Sequence, residues 1–282
     1  MIGQVLEEAL EPVFRSFAIE NGLYLDVKGP RRARKGRKVR WVDAYGNSHD
    51  LDFVLERNGS ESHIGVPVAF IETAWRRYTK HSRNKAQEIQ GAIIPLVERY
   101  KRSVPFIGVI LAGDFTAGAL NQLRSQGFGV VHFPYDAVTT AFDTVGIDAR
   151  FDEQTPDADV ERKARAWRGL TADTRARVAH ELMRARGMDL EAFLSSLSAA
   201  ARRQIEAVMV LPLHGTAQEL HTIAEAIIFV QAYDCIEVSD PVVKYEIEVR
   251  FTNGSRHMAI LQTKAEAIAF LHDYSPPRPS VP

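Results

Sequence analysis

A chain of 282 residues with 45% apolar side chains is long and greasy enough to bury one large core or two ordinary ones, which excludes a disordered or fibrous protein. A single cysteine, Cys235, excludes an internal disulfide and a cysteine-rich zinc site, and its setting in AIIFVQAYDCIEV reads as a small buried thiol. No window is apolar enough over about eighteen residues to span a bilayer and no secretory leader is seen, so the expected compartment is the cytoplasm. The formal net charge of −1 conceals an asymmetry: residues 1–150 carry 20 Lys+Arg against 17 Asp+Glu, and residues 151–282 carry 15 against 19.

In chain order, IGQVLEEALEPVFRSFAIENG sets Val5, Leu6, Ala9, Leu10, Val13, Phe14 and Phe17 at helical spacing, with Asn21-Gly22 as the stop. PRRARKGRKVR then packs Arg31, Arg32, Arg34, Lys35, Arg37, Lys38 and Arg40 into eleven residues. Such a run repels itself unless it meets solvent or phosphates, so it reads either as a solvated loop or as a basic arm for nucleic acid. KVRWVDAYG and HDLDFVLER are strand-like and parted by Gly46-Asn47, a turn signal. After the break Arg57-Asn58-Gly59-Ser60, GVPVAFIETAW reads as an internal strand. SRNKAQEIQGAIIPLVERY then places Ala86, Ile89, Ile93, Leu96 and Val97 on one helical face, with Pro95 as a kink. VPFIGVILAG is a covered strand, TAGALNQLRSQG a short helix and FGVVHFPY another strand. This order predicts an α/β fold over residues 1–148, a mixed sheet flanked by helices. DEQTPDADVE reads as a linker into a second region, 149–282: helical patterns from Val160 to about Val208, a hairpin at Asn253-Gly254 and a last helix, KAEAIAFLHDY. No internal repeat is read.

The chemistry concentrates between Asp50 and Lys85. Residues two apart on a strand share a face, so Asp50 pairs with Asp52, and Glu72 with Ala74 and Arg76. Asp52 and Glu72 on neighbouring strands repel unless a cation lies between them, and Mg²⁺ accepts a few carboxylates together with water and phosphate oxygens. WRRYTKHSRNK follows at once, mixing Arg76, Arg77, Lys80, Arg83 and Lys85 with Trp75 and Tyr78, a combination suited to phosphates and base faces. His49 is read as an exposed turn histidine. No nucleophile elbow, P-loop or dinucleotide fingerprint occurs.

An acid closing one strand and a second acid some twenty residues on, within helix-strand-strand-helix-strand order, resembles the PD-(D/E)XK nuclease superfamily, which includes restriction enzymes and repair nucleases. The resemblance covers residues 1–140. It implies a restriction-endonuclease-like sheet followed by a smaller α+β C-terminal domain. It further implies Mg²⁺-dependent hydrolysis of phosphodiesters in double-stranded DNA, with Asp52 and Glu72 as metal ligands, Asp50 as second choice for the first, and Glu7 as the additional acid of the first helix. The motif lysine is replaced by Ala74. Lys85 on the following helix, Lys80 in the connecting turn or Arg76 on the strand would supply its cation. Arg31, Arg32, Arg34, Lys35, Arg37, Lys38, Arg76, Arg77 and Lys80 would contact nucleic acid, and a homodimer is an allowed assembly. The alternative is a catalytically inactive relative that binds nucleic acid, or an interaction protein with a solvated basic loop.

Overall fold

The computed structural model describes residues 2–77, 82–151, 155–212, 215–233 and 244–274. The chain divides into two units, Met1–Ala201 and Arg202–Pro282. Cys235 lies outside the described residues.

Helix α1 (Ile2–Glu20) buries Val5, Leu6, Ala9, Leu10, Phe14 and Phe17, the apolar positions at intervals of three and four, while Val13 stays half-buried at the edge of the face. The Asn21 side-chain amide donates to the Phe17 carbonyl (2.8 Å), and Gly22 turns the chain back at φ +63°. Strand β1 (Leu23–Val27), absent from the sequence reading, follows directly. The basic run then leads into a separate hairpin of β2 (Val39–Val42) and β3 (Ser48–Leu51). HDLDFVLER is two strands rather than one, broken by a bend at Asp52, after which β4 (Phe53–Arg57) enters a different sheet.

That sheet runs β1-β4-β5-β6-β7, with β5 (Val66–Arg76) at its centre, β6 (Phe106–Gly113) and β7 (Gly129–Phe133) beyond. The β1–β4 and β4–β5 pairs are antiparallel; β5–β6 and β6–β7 are parallel, as crossovers through α2 (Ser82–Arg99) and α3 (Ala117–Ser125) require. Alternation sorts side chains between two cores. Val54, Phe70, Val109 and Leu111 meet Ala86, Ile89, Ile93 and Leu96 of α2, whereas Phe53, Leu55, Ile110 and Ala112 meet α1.

The second core also takes in α4 (Tyr135–Asp143), α5 (Asp157–Arg168), α6 (Ala172–Ala185) and α7 (Gly187–Ala201), through Phe142, Trp167, Val178, Leu182, Phe193 and Leu197. Residues 149–201 therefore belong to the first unit, and the division falls at 201/202 rather than near 148. The reason is steric as well as hydrophobic. Gly108 and Gly129 are cross-strand partners and leave a bare patch on the sheet that the Phe193 ring fills; a Cβ on Gly108 would lie 2.5 Å from Phe193 Cζ. A sequence pattern shows an apolar helix face but not the patch it is cut to fit.

The second unit is an antiparallel sheet, β11-β10-β8-β9, with α8 (Ile223–Ala232) and α9 (Lys264–His272) packed side by side. Its strands are β8 (Ile205–Pro212), β9 (Gln218–Leu220), β10 (Tyr245–Phe251) and β11 (Arg256–Leu261). It contains a repeat that the sequence reading missed. Each half is strand, strand, helix, and each helix opens on the same capping box, Thr222 with Glu225 and Thr263 with Glu266. A shift of 41 residues superposes Leu220, Thr222, Ala224, Glu225, Ala226, Ile227, Phe229 and Tyr233 on identical residues. The central pairing has the same symmetry, since Val208 lies opposite Val249, its own counterpart. The Asn253-Gly254 hairpin is as expected, with Gly254 at φ +80°.

No helix among the described residues is long and apolar enough to cross a membrane.

Candidate active site

Glu72 lies inside β5 and shares its strand face with Phe70 and Ala74, the side that packs beneath α2. Asp52 occupies the bend before β4, one step beyond the ladder pair Phe53–Ile71, and so stands across from Glu72. The two acids are held by each other's strands. Asp52 Oδ2 accepts from the Thr73 backbone N–H (2.7 Å) and from the Thr73 hydroxyl (2.8 Å), and the Asp52 backbone N–H lies close enough to the Glu72 carboxyl to favour its charged form.

This proximity has an electrostatic cost that falls on Glu72. Burial first, and then the charge of Asp52, push its carboxyl up to about 9, against the opposing pull of Lys85 and the Asp52 N–H. Its Oε1 is buried with no hydrogen-bond partner among the described residues. Glu7, half-buried on α1, is also raised, by burial and then by Asp52, with Lys28 opposing. The three acids that the sequence singles out thus share one electrostatic neighbourhood, although no three His, Cys, Asp or Glu side chains converge tightly enough to hold a metal among the described residues.

An orphaned, buried carboxylate oxygen beside a second carboxylate offers oxygen donors of the kind that Mg²⁺ takes. Asp52 and Glu72 would be its protein ligands, and water or phosphate oxygens would complete the shell.

Ala74 supplies no charged group to this neighbourhood. It is buried against the apolar core under α2, where a lysine would have to be desolvated. Lys85 reaches the neighbourhood from the first turns of α2, with its side chain only 16% exposed. Its Nζ pairs with Glu88 Oε1 at 2.5 Å, and Arg76 Nη2 approaches Glu88 Oε2 at 3.6 Å. Lys80, Tyr78 and His81 lie outside the described residues. Arg77 sits 5.7 Å over the Phe151 ring, and Trp75, expected to present its face to bases, is instead half-buried and stacked on Tyr135 at 6.0 Å.

Asp50 is removed from the metal reading. It belongs to the small hairpin and is engaged by Lys38 (2.6 Å) and Arg40 (3.0 Å). His49 is not an exposed turn residue: it lies in β3 opposite Trp41, with its side chain 18% exposed, and pairs with Asp43 at 2.8 Å.

The basic run requires a larger correction. Arg31 is buried, with 2% of its side chain exposed, and its guanidinium bridges Glu56 (2.6 Å) and Asp26 (2.9 Å) while donating to the Ser60 and His63 carbonyls. Arg34 closes on the same Asp26 and on the Val27 carbonyl. These two arginines are structural, because Asp26 and Glu56 are buried and need countercharge. Arg32, Lys35 and Arg37 remain exposed, and Lys38 and Arg40 are exposed beside Asp50.

Thr73, Glu88 and Lys28 escaped the sequence reading. Thr73 neighbours Glu72 in sequence, but only the bend at Asp52 makes it a partner, and a single sequence carries no signal for that bend.

No family model and no curated protein matches the chain. Among solved structures, it is similar to one titled "Crystal Structure of Protein of Unknown Function AF1548", at 14% identity over 65% of this chain and 99% of that one, with a TM-score of 0.31.

Proposed function

We propose that the first unit is a Mg²⁺-dependent nuclease acting on phosphodiester bonds of double-stranded DNA, similar to the PD-(D/E)XK superfamily. The observation that carries this reading is the Asp52–Glu72 pair, with one buried oxygen of Glu72 left without a partner beside a second acid. The divalent ion, when bound, would lower the pKa of a water and offset charge on the scissile phosphate. The chain's own residues would do the rest. Asp52 and Glu72 hold the ion, Glu7 adds negative charge from α1, and Lys85 places a cation beside Glu72 from α2. Substrate phosphates would displace Glu88 from Lys85 and Arg76, and the exposed Arg32, Lys35 and Arg37 would add charge attraction for the backbone.

The test is plasmid incubation with Mg²⁺ against an EDTA control, using wild type, Asp52→Asn and Glu72→Gln. Cleavage by the wild type alone supports the proposal. Cleavage retained in both variants refutes it. A second reading, a nucleic-acid-binding relative without activity, is favoured by Ala74 and by the engagement of Lys85 with Glu88; metal-independent DNA binding without cleavage would select it.

A further inference from the structure

We propose that Thr73 is a positioning residue for the metal site, fixing Asp52 so that one defined oxygen is offered to a divalent cation; this rests on Asp52 being a ligand. Asp52 sits in a bend, and the terminal torsion of an aspartate is broad, so an unassisted carboxylate samples many orientations. Thr73 removes that freedom. Its backbone N–H and its hydroxyl both donate to Oδ2, at 2.7 and 2.8 Å, from a residue only 8% exposed that is itself locked opposite Ile110 in the β5–β6 ladder. Two donors arriving from different atoms define a plane where a single bond would leave a hinge. They also divide the carboxylate. Oδ2 is occupied by the protein, and Oδ1 makes no hydrogen bond among the described residues. A carboxylate so divided binds a cation through one oxygen, in the manner suited to a small octahedral ion that keeps most of its waters.

The backbone half of this clamp is available to any residue at position 73. The hydroxyl half is not. Valine has the shape of threonine and would set a methyl against Oδ2, whereas serine keeps the donor and loses the methyl. Outer-sphere hydrogen bonds of this kind are typically worth about 10–100-fold in metal affinity.

The experiment is Mn²⁺ binding to the full chain, followed by electron paramagnetic resonance, with folding of each variant checked by circular dichroism. Thr73→Val should weaken Mn²⁺ by about 10–100-fold, Thr73→Ser should stay within about threefold of wild type, and Asp52→Asn should abolish binding. Should the valine variant fail to fold, Thr73→Ala carries the same comparison, since it removes the hydroxyl without placing a methyl against Oδ2. Mn²⁺ binding by Thr73→Val or Thr73→Ala equal to wild type, with Asp52→Asn inactive in binding, overturns the role of Thr73 and leaves the metal site standing. Absence of Mn²⁺ binding in the wild type overturns both.

Discussion

Replacing Arg31 by methionine separates two roles that the sequence alone cannot tell apart, a phosphate contact and an internal countercharge. Methionine keeps the length and apolar stem and removes the guanidinium. In the folded chain Arg31 is bonded to Glu56, which is fully buried, and to Asp26, which is 2% exposed and would keep Arg34. Glu56 would be left with the Gly65 backbone N–H at 2.7 Å as its donor. Removing one partner of a buried ion pair costs about 3–5 kcal/mol, because the other charge stays desolvated. Exposed pairs such as Lys38–Asp50 contribute about 1 kcal/mol or less. With a urea m-value of about 2 kcal/mol/M, the midpoint of the first unit should fall by about 1.5–2.5 M. Urea unfolding followed by tryptophan fluorescence reads this directly, since the three tryptophans, at 41, 75 and 167, all lie in that unit. A midpoint unchanged within about 0.3 M, well under the shift expected for a buried charge, would refute the reasoning. A DNA-binding salt slope reduced by about 1 in the same variant would then restore Arg31 to the phosphate contacts.

Other outcomes follow from the same physics. Glu72 has a folded pKa raised above its unfolded value, so below about pH 4.5 it costs nothing, and its cost grows as pH rises toward 9 while the unfolded chain has already lost its proton. Glu72→Gln should therefore be more stable than the metal-free wild type at pH 8, by more than about 1 kcal/mol, with the difference vanishing near pH 4 in thermal melts; equal melting at both pH values would contradict the burial argument. Lys85→Ala should lower cleavage by about 10²–10⁴-fold with Mn²⁺ binding retained, the range expected for a lost proton-handling or charge-stabilising group; unaltered rates would move the role to another cation. Neutralising Arg32, Lys35 and Arg37 together should reduce the slope of log Kd against log salt by about 3, measured by fluorescence anisotropy on duplex DNA. A fragment ending at residue 148 should fail to fold, for want of the helices that cover Gly108 and Gly129, whereas one ending at residue 201 should give a cooperative melt.

Long periodic segments were readable because their burial follows from local spacing. The faces of α1 and α2, the covered strands β5 to β7 and the Asn253-Gly254 hairpin all appear where the apolar rhythm puts them. Strand β1 was not read, since five residues between a helix stop and a basic run leave little room for alternation to declare itself. The pairing of Asp52 with Glu72 was anticipated from strand order. The loss of Asp50 to Lys38 and Arg40 was not, because a one-residue bend decides which sheet each acid joins. Charge density likewise misled at Arg31 and Arg34. Seven cations in eleven residues suggest a solvated loop or a nucleic-acid arm, and only the fold reveals that Asp26 and Glu56, on β1 and β4, are buried within reach of two of them.

The doubling within residues 202–274 implies how its halves would behave if parted. Because Val208 faces Val249 at the dyad, a lone copy of the second half would offer β10 as a sticky edge whose natural complement is another copy of itself in the same antiparallel alignment. Two such strands meeting at Val249 would set Glu248 of one against Arg250 of the other, opposite charges at matching heights. The tandem arrangement thus behaves as a dimer written on a single thread: fusing the partners raises their mutual concentration far beyond what separate peptides could reach, and guards an adhesive strand against strangers.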